Sequence, residues 1–265
     1  MKTTIRKHTL LASQLLAGAL FAGALPLSAH ADSLGVHAGA AQWSQAYSGS
    51  FSSAGDSGSP STIDVQEDLA LKDSDGMMYW VAFEHPVPVL PNLRYERSEL
   101  KTDGVSTVSH LTGINFGDDT FELGDELTTD FDLSHNDYVL YYEILDNWVN
   151  LDIGIDVKQF DGEIRLQANT EDEREKLDAP VPLLYIAAKF DLPLTGLSIG
   201  GQAAGMSAGG VTLTDYRINL AYEFSFGLGL EAGQRVMTIE LDDDEEDING
   251  DLEFDGSYVG ATFHF

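Results

Sequence analysis

The sequence predicts an all-β protein: a closed antiparallel transmembrane β-barrel of about ten strands, with eight or twelve as alternatives of the same parity. Three observations carry that prediction. Apolar residues recur at every second position along most of the chain. The connections between these runs alternate between short and long. The last run, SYVGATFHF, places Val259, Ala261, Phe263 and Phe265 on one row up to the final residue. Period-two alternation marks a strand with two unlike faces. Alternating short and long connections are the rhythm of a membrane barrel with tight turns at one rim and larger loops at the other.

Residues 1–31 stand outside this fold. Lys2, Arg6 and Lys7 make a basic start, Leu10 to Leu27 is mostly apolar, and Ala29-His30-Ala31 is a small-x-small cleavage pattern. This is the pattern of a cleaved secretory signal peptide, which leaves residues 32–265 as one barrel domain. Ser13, Gln14 and Pro26 interrupt the apolar run and argue against an anchor helix. Cleavage removes 3 of the 14 basic residues and none of the 44 acidic ones, so the net charge moves from −30 to 11 − 44 = −33. A chain this acidic is excluded as a nucleic-acid binder, because neutralising phosphate takes Lys and Arg. Cysteine is absent, so the exported domain is held by a core or a closed sheet and not by disulfides.

Ten strands are expected over 33–43, 76–86, 92–103, 129–145, 148–160, 181–191, 196–206, 211–223, 227–241 and 251–265. The clearest is WVNLDIGIDVK, where Val149, Leu151, Ile153, Ile155 and Val157 face one way and Asn150, Asp152, Gly154, Asp156 and Lys158 the other. YRINLAYEF and GLGLEAG repeat the pattern. Short connections fall at 86–91, 146–147, 192–195 and 223–226, and long ones at 44–75, 104–128, 161–180 and 242–250, with 207–210 shorter. An even strand count returns both termini to the short-turn side. Residues 48–62 are Gly/Ser-rich and read as a flexible loop. IDVQEDLALKD, which follows, has spacing for a short helix over the barrel mouth, and 170–178 and 241–251 read as acidic loops.

Trp148, Phe190, Phe224, Phe226, Phe263 and Phe265 gather near the short turns, as in the aromatic girdle of a barrel interface. The terminal row resembles the C-terminal signal by which bacterial outer-membrane proteins are recognised for assembly. That resemblance implies periplasmic chaperones and the barrel assembly machinery as partners during biogenesis, and a Gram-negative outer membrane with its lipid and lipopolysaccharide as the setting. EHPVPVLPN (84–92) supplies a stiff turn built on His85, Pro86, Pro88, Pro91 and Asn92, in which the prolines give no donor to a ladder. With the Gly200-Gly201 pair inside a strand and YYEILDN before another, it resembles a family of small proteobacterial outer-membrane β-barrels with a Gly-Gly motif, of unestablished function. The resemblance spans most of the mature chain. It implies a barrel in the outer membrane and brings no catalytic residues.

Inward positions include His37, Asp137, Glu143, Asp152, Asp156, Lys158, Gln202, Asp215, Arg217, Asn219, Glu223 and Glu231. In a narrow barrel these either fill the lumen as a hydrogen-bonded plug, with Arg217 and Lys158 paired to carboxylates, or line a porin-like passage for cations and small polar solutes. The expected role is non-enzymatic, structural or a narrow pore. The alternatives are a lipid-modifying outer-membrane enzyme and a soluble secreted β-sandwich that binds carbohydrate or a partner. Ser109-His110 and Ser134-His135 are the only suggestive nucleophile–base neighbours, and adjacent strand residues point to opposite faces, so no catalytic residue is assigned. Asp242, Asp243, Asp244 and Asp247 offer oxygen ligands for a weak Ca²⁺ or Mg²⁺ site, without the ordered spacing of a calcium loop. No cofactor motif is present, and the oligomeric state is left open.

Overall fold

The computed structural model describes residues 34–53, 61–110, 113–116, 119–169, 171–243 and 248–265, and the expected signal segment lies outside them. In chain order the strands are β1 (Gly35–Ser53), β2 (Ser61–Asp64), β3 (Ser74–Glu84), β4 (Asn92–Ser98), β5 (Lys101–Thr107), β6 (Ile114–Phe116), β7 (Asp119–Phe121), β8 (Glu126–Asp132), β9 (His135–Leu145), β10 (Val149–Phe160), β11 (Gly162–Ala168), β12 (Glu171–Leu177), β13 (Pro180–Asp191), β14 (Leu197–Ala208), β15 (Val211–Glu223), β16 (Leu228–Asp243) and β17 (Ile248–His264).

Ten of these close an antiparallel barrel in the order β1-β3-β4-β9-β10-β13-β14-β15-β16-β17, and β17 returns to pair with β1 from His37↔His264 to Ser52↔Asn249. Closure leaves no free ladder edge, the condition for a sheet in lipid. Alternation decides which face is which. Ile153 and Ile155 of β10, Leu184 and Ile186 of β13, and Ile218 and Leu220 of β15 are all exposed on the outside, Leu184 by 77%. Their sequence neighbours Asp156, Lys158, Tyr185 and Arg217 are buried within. The short turns lie at one rim, at 85–91, 146–148, 192–196 and 224–227. At the other rim β14 and β15 meet in a two-residue hairpin on Gly209 (φ 60°) and Gly210 (φ 75°), the turn that needs a positive φ at both central residues.

The long connections differ from the loops expected of them. They fold into a cap. β12, β11, β8 and β5 form a four-stranded sheet, β6 and β7 a hairpin, and β2 pairs with the upper part of β1. The apolar core of the molecule gathers here: Ile63, Leu69, Leu100, Ile114, Phe121, Leu127 and Leu166 are fully buried. The barrel turns its apolar side chains outward, so the cap must supply a core of its own to be stable in water.

Five expectations are corrected. The strand expected over 92–103 is two, β4 and β5, and 129–145 is also two, β8 and β9. Both break at one level, where Leu133 N–H donates to Leu100 O (2.8 Å) and Leu100 N–H to Ser134 Oγ (3.1 Å). The chain leaves the barrel wall there for the cap sheet while keeping its alternation, so periodicity alone hides the break. The helix expected in IDVQEDLALKD is a single turn. Asp64 Oδ1 accepts from Gln66 and Glu67 N–H (2.8 Å each), and Val65, Leu69 and Leu71 drop into the cap core. The loop expected at 48–62 is strand up to Ser53, because β1 runs on beside β17. The acidic stretch at 170–178 is the edge strand β12, whose charged residues blunt an exposed ladder.

Candidate functional site

The lumen is crossed at mid-height by a layer of ion pairs drawn from five strands. Glu96 on β4 is 2% exposed, and Arg217 on β15 grips it with two bonds, Nη1 to Oε1 at 2.9 Å and Nη2 to Oε2 at 2.7 Å. Arg94 Nη2 adds a third at 2.7 Å. Arg235 on β16 donates to Asp215 through Nε (2.9 Å) and Nη2 (2.6 Å), and to Ser98 Oγ through Nη1 (2.8 Å). Lys158 on β10, wholly buried, donates to Asp137 Oδ1 (2.6 Å) and Asp215 Oδ2 (2.9 Å). Indole faces stack against two of the guanidinium groups, Trp80 against Arg94 at 4.2 Å and Trp43 against Arg235 at 4.9 Å. Buried charges are tolerated when paired and hydrogen-bonded, and removing one partner strands the other.

His135 closes the layer from below the cap. Its Nδ1 lies 2.9 Å from Leu133 O and its Nε2 3.3 Å from Arg235 Nη2. A guanidinium only donates, so Nε2 accepts and the ring proton sits on Nδ1. Among the described residues, His135, Asp137 and Asp215 are the one group whose potential metal-ligating atoms lie within 4.8 Å of one another. Lys158 and Arg235 already give that group its positive charge, so the arrangement fits a salt-bridged core and not a metal centre. Above it, Tyr47, Phe131 and Phe254 pack ring to ring at 5.7–6.1 Å and join barrel to cap.

At the short-turn end the lumen is acidic. His37 Nε2 lies 3.2 Å from Glu84 Oε2 and stacks on His264 at 4.1 Å. Tyr141 donates to Glu84 Oε1 (2.8 Å), Asn219 donates to Glu231 Oε2 (2.9 Å), and Asp152 faces Glu143 across the β9–β10 ladder. The Gly-Gly pair divides between the two faces: a Cβ on Gly200 would stand 2.6 Å from the Asn219 side-chain oxygen, whereas Gly201 lies on the outer face beside Ile218.

The structure thus brings Lys158, Asp215 and Arg217 into one layer, sets Asp156 beside it and places His37, Asp152, Asn219 and Glu231 toward the acidic mouth. Glu96, Arg94, Arg235 and His135 belong to the layer and escaped the sequence reading. Arg235 sits four places beyond Glu231 on the same face of β16, so the alternation already pointed to it. Glu96 had the same marker, because Asn92, Arg94, Glu96 and Ser98 form one wholly polar row of β4 opposite Leu93 and Tyr95. Val259, Phe263 and Phe265 are exposed on the outside (62%, 37% and 71%), with Ala261 between them, and Phe265 N–H donates to Val36 O at 2.9 Å. The proline turn closes on itself. Asn92 Oδ1 accepts from His85 N–H (3.1 Å), His85 Nδ1 from Val87 N–H (3.2 Å), and His85 Nε2 meets Pro91 O (3.2 Å), leaving Pro86 and Pro88 with no donor to satisfy. Asp242 and Asp243 end β16, and Asp244 and Asp247 lie outside the described residues, so the acidic-tip metal site has no described geometry. Ser134 Oγ accepts from Leu100 N–H and His135 faces Arg235, so this pair does not form a nucleophile and base. His110 binds Asp68 Oδ1 (2.8 Å) in the cap.

No family profile and no curated protein matches this sequence. Among solved structures the chain is similar to the CymD monoaromatic hydrocarbon channel, at 8% identity over 88% of this chain and 89% of that one, with a TM-score of 0.34. It is similar to the toluene transporter TodX of Pseudomonas putida at 8% identity, 88% and 89% coverage and a TM-score of 0.32. OccK10 of Pseudomonas aeruginosa matches at 11% identity, 88% and 98% coverage and a TM-score of 0.25. Likeness at this level transfers no function, and the reading below rests on the chain's own geometry.

Proposed function

We propose that this chain is an integral outer-membrane barrel of a Gram-negative cell, exported by a cleaved signal peptide. Its lumen is sealed, and its role is to anchor and display the folded cap. The ion-pair layer carries the reading: Glu96, Arg217, Arg235, Asp215 and Lys158 meet across the barrel and are each held by at least two hydrogen bonds. An apolar outer wall with exposed Ile153, Leu184 and Ile218 supports a lipid setting. The short turns then face the periplasm and the cap faces outward, with lipid and lipopolysaccharide as surroundings and the assembly machinery as partner in biogenesis. The resemblance to the glycine-pair barrel family belongs to this proposal, supported by the self-closed proline turn. The role proposed is non-enzymatic.

Planar-bilayer recording tests this directly. The protein with a heat-dependent mobility shift, and so folded, is expected to show no steady conductance. A steady cation-selective conductance would overturn the sealed reading in favour of a narrow pore entered through the acidic mouth at Glu84 and Asp152.

A further inference from the structure

Toward the cap, the apolar rows of the outer wall end in tyrosines. Tyr95 on β4, Tyr138 on β9 and Tyr216 on β15 each close such a row, and Arg97, Asn136 and Thr214 are the next outward positions. Tyrosine has an apolar ring and a polar tip, and it collects where hydrocarbon gives way to headgroups. On the outer-membrane reading these rings mark the upper edge of the lipid-covered band, and Arg97 stands one step above it.

Arg97 differs from every other basic residue of the barrel strands. Arg94, Lys158, Lys189, Arg217 and Arg235 take the inward parity, and each is ion-paired. Arg97 takes the outward one, between Tyr79 of β3 and Asn136 of β9. It is half-buried and has no hydrogen-bond or ion-pair partner among the described residues. Carboxylates are plentiful in a chain with 44 acidic residues. Even so, Glu99, the next outward position on the same row, turns its Oε2 to Met77 N–H (3.3 Å). The side chains around Arg97 leave donors over. Tyr95 O–H donates to Asn136 Oδ1 (2.9 Å), so the amide presents its N–H groups as free donors. Tyr79 and Tyr138, each 47% exposed, flank the pair. Below, Leu93 and Leu140 oppose each other and are both exposed on the wall.

We propose that Arg97 and Asn136 bind the phosphate of one membrane lipid, whose acyl chain descends the wall over Leu93 and Leu140. The proposal rests on the outer-membrane reading above and gives that wall a specific lipid site. A guanidinium matches two phosphate oxygens with parallel N–H bonds, and the amide adds a further donor. A water-borne anion would have to approach against the field of a strongly acidic chain. A lipid instead reaches Arg97 within the membrane plane, and its chain covers the apolar surface beneath. The site is single, because elsewhere above the band the outer face presents carboxylates, among them Asp75, Glu253 and Asp255, which repel phosphate.

The test titrates the folded protein in maltoside micelles with oleoyl lysophosphatidate or with mono-olein, which differ only in the phosphate, and counts bound lipid by native mass spectrometry. One saturable lysophosphatidate is expected, bound at least about tenfold tighter than mono-olein and weakened about tenfold by Arg97→Gln. Asn136→Ala should weaken it less, and Arg97→Lys should retain part of it. Lys72→Gln, an equal change of net charge placed in the cap, should leave it unaltered. Equal binding of the two lipids, or equal losses from Arg97→Gln and Lys72→Gln in barrels that still shift on heating, would overturn the site. Displacement by inorganic phosphate at the same concentration would overturn the lipid as its occupant. Absence of the heat-dependent shift in the wild type would instead sink the membrane reading on which the proposal rests.

Discussion

Glu96 illustrates how much one side chain carries. Three guanidinium groups face it, those of Arg217, Arg94 and Arg235. Glu96→Ala leaves them buried without their shared anion, and the expected loss is about 3–5 kcal/mol in folding equilibrium measured by denaturant titration in lipid. Glu96→Gln keeps the shape and one acceptor and should lose less; equal losses would mean that charge is not what holds the layer. The wall residues give a second contrast. Ile153 is 48% exposed on the outer face, opposite Tyr142 and Ile186. Ile153→Arg should cost about 2–4 kcal/mol if lipid covers it at mid-depth. Asp152→Asn, one residue away, should cost little or nothing, since Asp152 faces Glu143 directly and like charges opposed on a ladder repel. Similar costs for the two substitutions would contradict the assigned faces.

At the scale of elements, the cap and the barrel are held by different forces. The cap sheet buries Leu127 and Leu166 as a water-soluble domain does, so Leu166→Ala should cost about 2–5 kcal/mol. The loss should appear as faster hydrogen exchange in β5, β8, β11 and β12 while the heat-dependent mobility shift of the barrel persists. If the shift vanished as well, cap and barrel would be a single cooperative unit. The outer hairpin of that sheet is pinned by Arg165, which donates to Asp172 through Nε (2.7 Å) and Nη2 (2.8 Å). Beside Arg165, the Asp172 carboxyl is held below the ordinary value of 3.8. A depressed carboxyl contributes stability above its unfolded pKa and loses it as pH falls below 3.8 through the folded value. Exchange in β12 should therefore quicken on acidification below that point, and only slightly, since solvent screens so exposed a pair. Arg165→Ala should weaken this pH dependence without abolishing it, because Arg174 Nε remains 3.5 Å from Asp172 Oδ1.

Over the whole molecule, the polarity of the sheet is inverted relative to a soluble barrel. Apolar residues lie outside, ion pairs lie inside, and the apolar core sits in the cap above. On the sealed reading proposed above, opening needs the layer to be dismantled. The double substitution Glu96→Ala with Arg217→Ala removes the bidentate pair together, avoiding a lone buried charge, and should raise single-channel conductance from none to measurable. A double variant that folds and stays silent would show that the cap alone seals the barrel.

The sequence by itself indicated an even-stranded barrel of about ten strands, the faces of its clearest strands and the short turns. Each of those depends on nearest-neighbour alternation and on prolines and glycines, which are local properties of the chain. It also placed Lys158, Asp215 and Arg217 on the inner face, since parity alone assigns a face. Only the tertiary structure decided that the long connections build a cap. A strand leaving the barrel wall keeps its period of two, as β4 into β5 and β8 into β9 show, so the break is invisible until Leu100 and Leu133 are seen bonded across it. The same holds for the ion-pair layer. Which inward carboxylate meets which inward cation depends on the stagger of strands far apart in sequence, and Glu96 and Arg217, 121 residues apart, meet only when the barrel is closed.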